Sequence, residues 1–84
     1  MNDFVRAREE FYGHLYRKFT DASGPYCGKE EMQCLCDTNQ LMDRVRVFAS
    51  DLGHIRQNKL GWIRLTAQGV LYAEQLILGG RDGD

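Results

Sequence analysis

The stretch from Leu52 to Gly69 constrains the fold more than any other part of the chain. Two β-compatible runs, 54–57 and 62–65, are separated by the four-residue connection 58–61, which has turn-forming residues at both ends. In the second run Ile63 and Leu65 alternate with Trp62 and Arg64, which is typical of a half-buried strand. Thr66 follows as the N-cap of an apolar helix. The stretch therefore predicts the end of a helix, a short β-hairpin and the start of another helix.

The segment before the hairpin has helical periodicity. Leu41, Val45, Phe48 and Leu52 recur at four-three-four spacing, which predicts a buried face on a helix over 40–52. The opposite face centres on Asp43 and Ser50.

Three further helices complete the expected architecture. The first extends from Asn2 or Asp3 to about Thr20, and the second covers 28–36 with Met32, Leu35 and Cys36 as its buried side. The last extends from Ala67 to about Leu78. The sequence thus predicts a mostly helical α+β fold and a single domain over 1–84, in which 79–84 forms a flexible tail.

Composition excludes several classes of protein. With 43% apolar and 27% charged residues, the chain has the composition of a globular protein rather than a disordered one. No apolar run approaches the length of a membrane span, the N-terminus lacks the pattern of a signal peptide, and the three cysteines favour a reducing compartment. We therefore expect a cytoplasmic protein without a membrane contact.

The charge distribution is more informative than the net charge of −1. Between positions 44 and 64 there is one acidic residue, Asp51, whereas the rest of the chain is net acidic. The same segment holds five basic residues: Arg44, Arg46, Arg56, Lys59 and Arg64.

The order of these elements and the residues at two of their junctions resemble those of the winged helix-turn-helix domain. The passage 52–56, Leu-Gly-His-Ile-Arg, is similar to the one that joins recognition helix to wing in MarR-, PadR- and ArsR-like transcription regulators. The passage 63–69, Ile-Arg-Leu-Thr-Ala-Gln-Gly, resembles the passage that leads from the wing into the following helix in these regulators. The resemblance implies three helices, a short hairpin wing and a C-terminal helix.

The resemblance also implies a function, namely binding of double-stranded DNA by a small transcriptional regulator. Helix 40–52 would enter the major groove and wing 54–65 would contact the backbone. Base-edge contacts are expected from Asn39, Gln40, Arg46 and Ser50, since amide and guanidinium groups pair with purine edges. Phosphate contacts are expected from Arg44, Arg56, Lys59 and Arg64.

A homodimer through the first and last helices is a further expectation, because both helices carry more apolar surface than one small domain needs to cover. Its candidate residues are Phe4, Phe11, Tyr12, Leu71, Tyr72, Leu76 and Leu78. An alternative from a different class is a winged-helix protein-interaction module, such as an inhibitor encoded by a phage or mobile element. The acidic second helix and the apolar last helix favour that alternative.

Metal and catalytic chemistry are the remaining alternatives. Cys27, Cys34 and Cys36 are soft ligands, but Cys34 and Cys36 lie two apart on a helix and would point in nearly opposite directions. His14 and His54 have no nucleophile or carboxylate pair in a recognisable arrangement nearby in sequence. The sequence thus predicts no metal site, no cofactor and no enzymatic activity.

Overall fold

A computed structural model describes residues 3–79 and shows an α+β fold that is mostly helical, as predicted. The predicted tail lies outside the described residues except for Gly79. The elements are α1 (Asp3–Thr20), α2 (Lys29–Thr38), α3 (Met42–Asp51), β1 (Ile55–Gln57), β2 (Ile63–Leu65), α4 (Ala67–Glu74) and a π-helical turn (Gln75–Gly79) that continues α4.

The long helix α1 supplies much of the core. Ala7, Phe11, Tyr12 and Leu15 are fully buried and lie at the spacing of one helical face. Phe11 and Tyr12 were predicted to line a dimer interface, and for these two residues the prediction is wrong, because the chain itself covers both side chains completely. Helix α1 packs against α3 and α4, and the Tyr12 ring contacts the Tyr72 ring of α4.

The other predicted dimer residues divide into two groups. Phe4, Tyr72 and Leu76 are partly buried and pack against the core, and the Phe4 ring meets Phe48 edge-on at 5.8 Å. Leu71 and Leu78 are 63% and 57% exposed. Only these last two offer a largely open apolar side chain.

The hairpin is antiparallel, with Ile55 opposite Leu65 and Gln57 opposite Ile63, so its connection is one residue longer than the predicted 58–61. Ile63 and Leu65 face the core, as the alternation predicted, and Trp62 is exposed. A third extended segment joins this pair, because Cys27 exchanges two backbone hydrogen bonds with Ile63, at 2.7 and 3.1 Å. The hairpin is therefore anchored both to the core and to the connection between α1 and α2.

Helix α3 is shorter than predicted. It begins at Met42 rather than position 40 and ends at Asp51, so Leu52 lies beyond it and is 47% exposed. The buried stripe consists of Met42, Val45 and Ala49, with Phe48 partly buried beside it. The chain leaves the helix at Gly53, which follows the C-cap Leu52 and has the positive φ of 73° that is typical of this position.

Helix α4 starts as predicted. The Thr66 hydroxyl accepts a hydrogen bond from the Gly69 N–H at 3.2 Å and donates one to the Gly53 carbonyl at 2.6 Å. The helix packs so closely on the hairpin root that a Cβ at Gly69 would lie 2.0 Å from the His54 carbonyl oxygen. Thr66 and Gly69 together fix the angle at which α4 leaves the hairpin.

Candidate nucleic-acid interface

The solvent face of α3 carries part of the predicted DNA surface, namely Arg44 as an expected phosphate contact and Arg46 and Ser50 as expected base contacts. Arg44, Val47 and Ser50 are exposed, whereas Arg46 is half-buried. Both Nη2 and Nε of Arg46 donate to Oδ1 of Asp43, at 2.7 and 3.2 Å. An ion pair on the surface contributes only about 0–1 kcal/mol, so a phosphate or a guanine edge competes with Asp43 at small cost.

Asn39 and Gln40 do not lie on this helix, and the predicted boundary is wrong at this end. The side-chain oxygen of Asn39 accepts a hydrogen bond from the Leu41 N–H at 3.0 Å, and the backbone carbonyl of Asn39 accepts one from the Met42 N–H. The N–H groups of Leu41 and Met42 are therefore satisfied by a turn at Asn39, and the helix begins only at Met42. Gln40 lines a depression beside Asp3 and Arg6 of α1.

The outer face of the hairpin carries two arginines. Arg56 and Arg64 are direct cross-strand partners, and they point away from the core because their neighbours Ile63 and Leu65 point into it. Nη1 of Arg64 donates to the Leu65 carbonyl at 3.3 Å, which leaves the rest of the guanidinium available. Like charges placed directly opposite each other on a strand pair are destabilising. An anion bound between them would remove that cost.

The hairpin tip is a well-defined turn that presents Lys59 to solvent. Oδ1 of Asn58 accepts hydrogen bonds from the N–H groups of Leu60 and Trp62, at 2.9 and 3.0 Å. Gly61 has a φ of 85°, which closes the turn. The Lys59 side chain is exposed at this tip, as expected for a backbone contact.

The predicted basic residues thus form two groups rather than one continuous patch. Arg46 lines a groove between α2, α3 and the hairpin, whose other polar residues include Lys29, Gln33 and Gln57. Gln57 shares the inner face of the hairpin with Ile63, whereas Arg56 and Arg64 lie on the outer face. Sequence reasoning missed Lys29, Gln33 and Gln57, because their approach to Arg46 depends on how three elements pack.

Few of these basic residues are neutralised. Within residues 3–79 the structure contains three ion pairs, of which only Arg46–Asp43 involves the predicted surface. Arg44, Arg56, Lys59 and Arg64 belong to none of them. Free cationic groups on a helix and an adjacent hairpin are suited to binding phosphates.

A buried polar contact holds the root of the hairpin. Nδ1 of His54 lies 2.7 Å from Oη of Tyr12, and the His54 ring packs 4.6 Å from the Tyr72 ring. Burial lowers the pKa of His54 and raises that of Tyr12, so both groups are neutral near pH 7. His54 was predicted to lie at this position, but its role as an anchor to α1 has no local sequence signal.

Of the three cysteines, Cys36 lies beside this surface, because it lines the same groove as Arg46. Cys34 is exposed, Cys36 is half-buried and Cys27 is buried. Cys27 is close to His14 and Glu31, so three potential metal ligands meet near the start of α2, and none of them belongs to the predicted DNA surface.

The chain was compared with family models, with curated proteins and with solved structures, and no match was found in any of the three comparisons. None of the helices over residues 3–79 is both long and apolar enough to cross a membrane.

Proposed function

We propose that this protein binds double-stranded DNA as a small winged-helix transcriptional regulator. In this proposal α3 enters the major groove and the hairpin contacts the phosphate backbone. The observation that supports it most strongly is the positive charge of Arg44, Arg56, Lys59 and Arg64, which belong to no ion pair among the described residues. Arg56 and Arg64 lie opposite each other on the outer face of the hairpin.

The element order is compatible with a winged helix. A helix, an extended residue paired to the hairpin, two helices, the hairpin and a final helix follow one another along the chain. Arg44, Arg46 and Ser50 remain the α3 side chains assigned to DNA, and Arg56, Lys59 and Arg64 remain the backbone contacts. Asn39 and Gln40 are removed from the base-reading set, since they precede the helix.

A second copy of the chain is part of the proposal. Leu71 and Leu78 both lie on the final helical segment, and both are more than half exposed. Covering them with the same residues of a twofold-related copy would bury apolar surface and present two α3 helices to successive major grooves.

The test is a titration of a fluorescein-labelled duplex followed by fluorescence anisotropy at fixed salt. Arg56→Ala, Lys59→Ala and Arg46→Ala should each weaken binding by roughly fivefold to tenfold, because each removes one phosphate or base contact. Arg17→Ala is the matched control, since it removes an exposed arginine of α1 outside the proposed surface. Equal weakening by Arg17→Ala, or no binding by wild type, would contradict the proposal.

A protein-docking module is the second candidate, and one observation favours it. Trp62 is 42% exposed and lines a surface depression together with Lys29 and Glu30. An aromatic side chain beside an acidic helix start suits a basic peptide segment of a protein partner. A chain that sediments as a monomer and has no salt-sensitive affinity for duplex DNA would favour this candidate over the first.

A further inference from the structure

Three potential metal ligands from separate parts of the chain meet beside α2. His14 comes from α1, Cys27 from the extended segment paired to β2, and Glu31 from the first turn of α2. Their ligand atoms all lie within 4.8 Å of one another. Nε2 of His14, which is shielded from solvent, is 2.6 Å from Oε2 of Glu31.

We propose that His14, Cys27 and Glu31 form a binding site for a borderline divalent cation of the Zn²⁺ type. Imidazole nitrogen, thiolate sulfur and carboxylate oxygen are the three donor types that zinc takes in proteins. Three protein ligands leave the fourth tetrahedral position to water, and the partial exposure of the His14 and Glu31 side chains provides a route for it.

The distances require only small side-chain movements. Zinc bonds of about 2.0–2.3 Å place neighbouring donors of a tetrahedron roughly 3.3–3.8 Å apart. The 2.6 Å contact between His14 and Glu31 therefore has to open by about 1 Å. Side-chain rotation of Glu31, which is 34% exposed, accommodates this change.

The surroundings orient two of the three donors. Nζ of Lys18 lies 2.9 Å from Oε1 of Glu31, which leaves Oε2 directed at His14. The Cys27 backbone is held by its two hydrogen bonds to Ile63, so the sulfur has a fixed starting position. Groups that contact and orient a metal ligand without binding the metal themselves raise metal affinity.

Binding exchanges a proton for the metal. Burial, reinforced by the charge of Glu31, raises the pKa of the Cys27 thiol to about 11. The thiol is therefore protonated before binding, and one proton leaves as the sulfur–metal bond forms. The carboxylate of Glu31 is already charged: burial opposes this, but contacts with Lys18 and His14 outweigh it and keep its pKa below the ordinary value.

The three cysteines were the soft ligands considered in the sequence, and no metal site was predicted from them. Cys34 and Cys36 are close to Cys27 in the sequence, yet neither belongs to the cluster around His14. This difference supplies a matched control, since Cys34→Ser removes an exposed thiol of the same chain while leaving all three proposed ligands in place.

The experiment is a titration of reduced, metal-free protein with Co²⁺, followed by displacement with Zn²⁺. Wild type and Cys34→Ser should both show a thiolate-to-cobalt charge-transfer band that saturates at about one equivalent and disappears on addition of Zn²⁺. Cys27→Ser should lose the band, and His14→Gln and Glu31→Gln should weaken metal binding by at least about tenfold.

Two results would overturn the proposal. One is the absence of any charge-transfer band in wild type, and the other is a band that Cys34→Ser abolishes and His14→Gln leaves unchanged. Because Cys27 is fully buried, serine at this position is destabilising in its own right, so the partly exposed His14 provides the independent variant. The thermal midpoint of wild type should rise with Zn²⁺, since the metal joins α1 to α2, and that of His14→Gln should rise less at the same Zn²⁺ concentration.

Discussion

The hydroxyl of Tyr12 lies 2.7 Å from Nδ1 of His54, and this buried contact joins the middle of α1 to the residue that precedes the hairpin. The two residues are 42 positions apart. The backbone of His54 adds two bonds, one to the Ala49 carbonyl and one from the Thr66 N–H. The position of the hairpin relative to the helices therefore depends on a small set of contacts around His54.

Removal of the Tyr12 hydroxyl should destabilise the fold. Tyr12→Phe leaves Nδ1 of His54 without this partner in a buried site, which costs about 1–3 kcal/mol of unfolding free energy. Tyr26→Phe is the control, since Tyr26 is 37% exposed, and it should change the stability by less than about 0.5 kcal/mol. Urea denaturation followed by circular dichroism measures both values. Equal effects of the two substitutions would show that the contact contributes nothing.

The same site should make stability depend on pH. Burial lowers the folded-state pKa of His54 below the ordinary value of about 6.5, so the unfolded chain binds more protons in the window below pH 6.5. This contribution to stability is fully present above about pH 6.5 and is lost as the pH falls through the folded pKa. His54→Gln should therefore lose less stability than wild type between about pH 7.5 and pH 5.5. Parallel profiles for the two proteins would contradict this assignment.

Two glycine-to-alanine substitutions inside helices should have opposite effects. At Gly69 a Cβ would meet the His54 carbonyl oxygen at 2.0 Å, so α4 must move and we expect a loss of more than about 2 kcal/mol. At Gly13 the nearest atoms are 3.9–4.0 Å away, so alanine should stabilise α1 by about 0.5–1 kcal/mol. Thermal denaturation of both variants checks the pair, and a tolerated Gly69→Ala would refute the close approach.

The proposed dimer makes a prediction about Leu71. Leu71→Glu should shift the protein to a monomer in sedimentation velocity, because a charge would be buried where two copies meet. Leu60→Glu is the control: Leu60 is 69% exposed at the hairpin tip and lies outside the proposed interface. A wild-type monomer, or dissociation by both variants, would contradict the assignment of Leu71.

The sequence predicted those features of the fold that depend on neighbouring residues. The cap at Thr66, the inward direction of Ile63 and Leu65, and the order of helices and hairpin all follow from local spacing, and the structure confirms each of them. The start of α3 was wrong because the side chain of Asn39 bonds the backbone in a turn, an alternative that periodicity does not reveal.

Features that depend on distant residues were missed. The aromatic excess of α1 suggested an interface, whereas Phe11 and Tyr12 are covered by elements that come much later in the chain. The groove around Arg46 and the cluster of His14, Cys27 and Glu31 likewise form only when three elements pack together. No spacing within one segment encodes either of them.

The proposed function is tested most directly by the salt dependence of binding to duplex DNA. Phosphate contacts from Arg44, Arg56, Lys59 and Arg64 predict that log K falls against log salt with a slope of about −3.6 per bound protomer. The double variant Arg56→Ala/Arg64→Ala should reduce the magnitude of that slope by about 2, and Arg17→Ala should leave it unchanged. A wild-type slope near zero, or equal slopes for wild type and the double variant, would contradict the assignment of α3 and the hairpin to DNA.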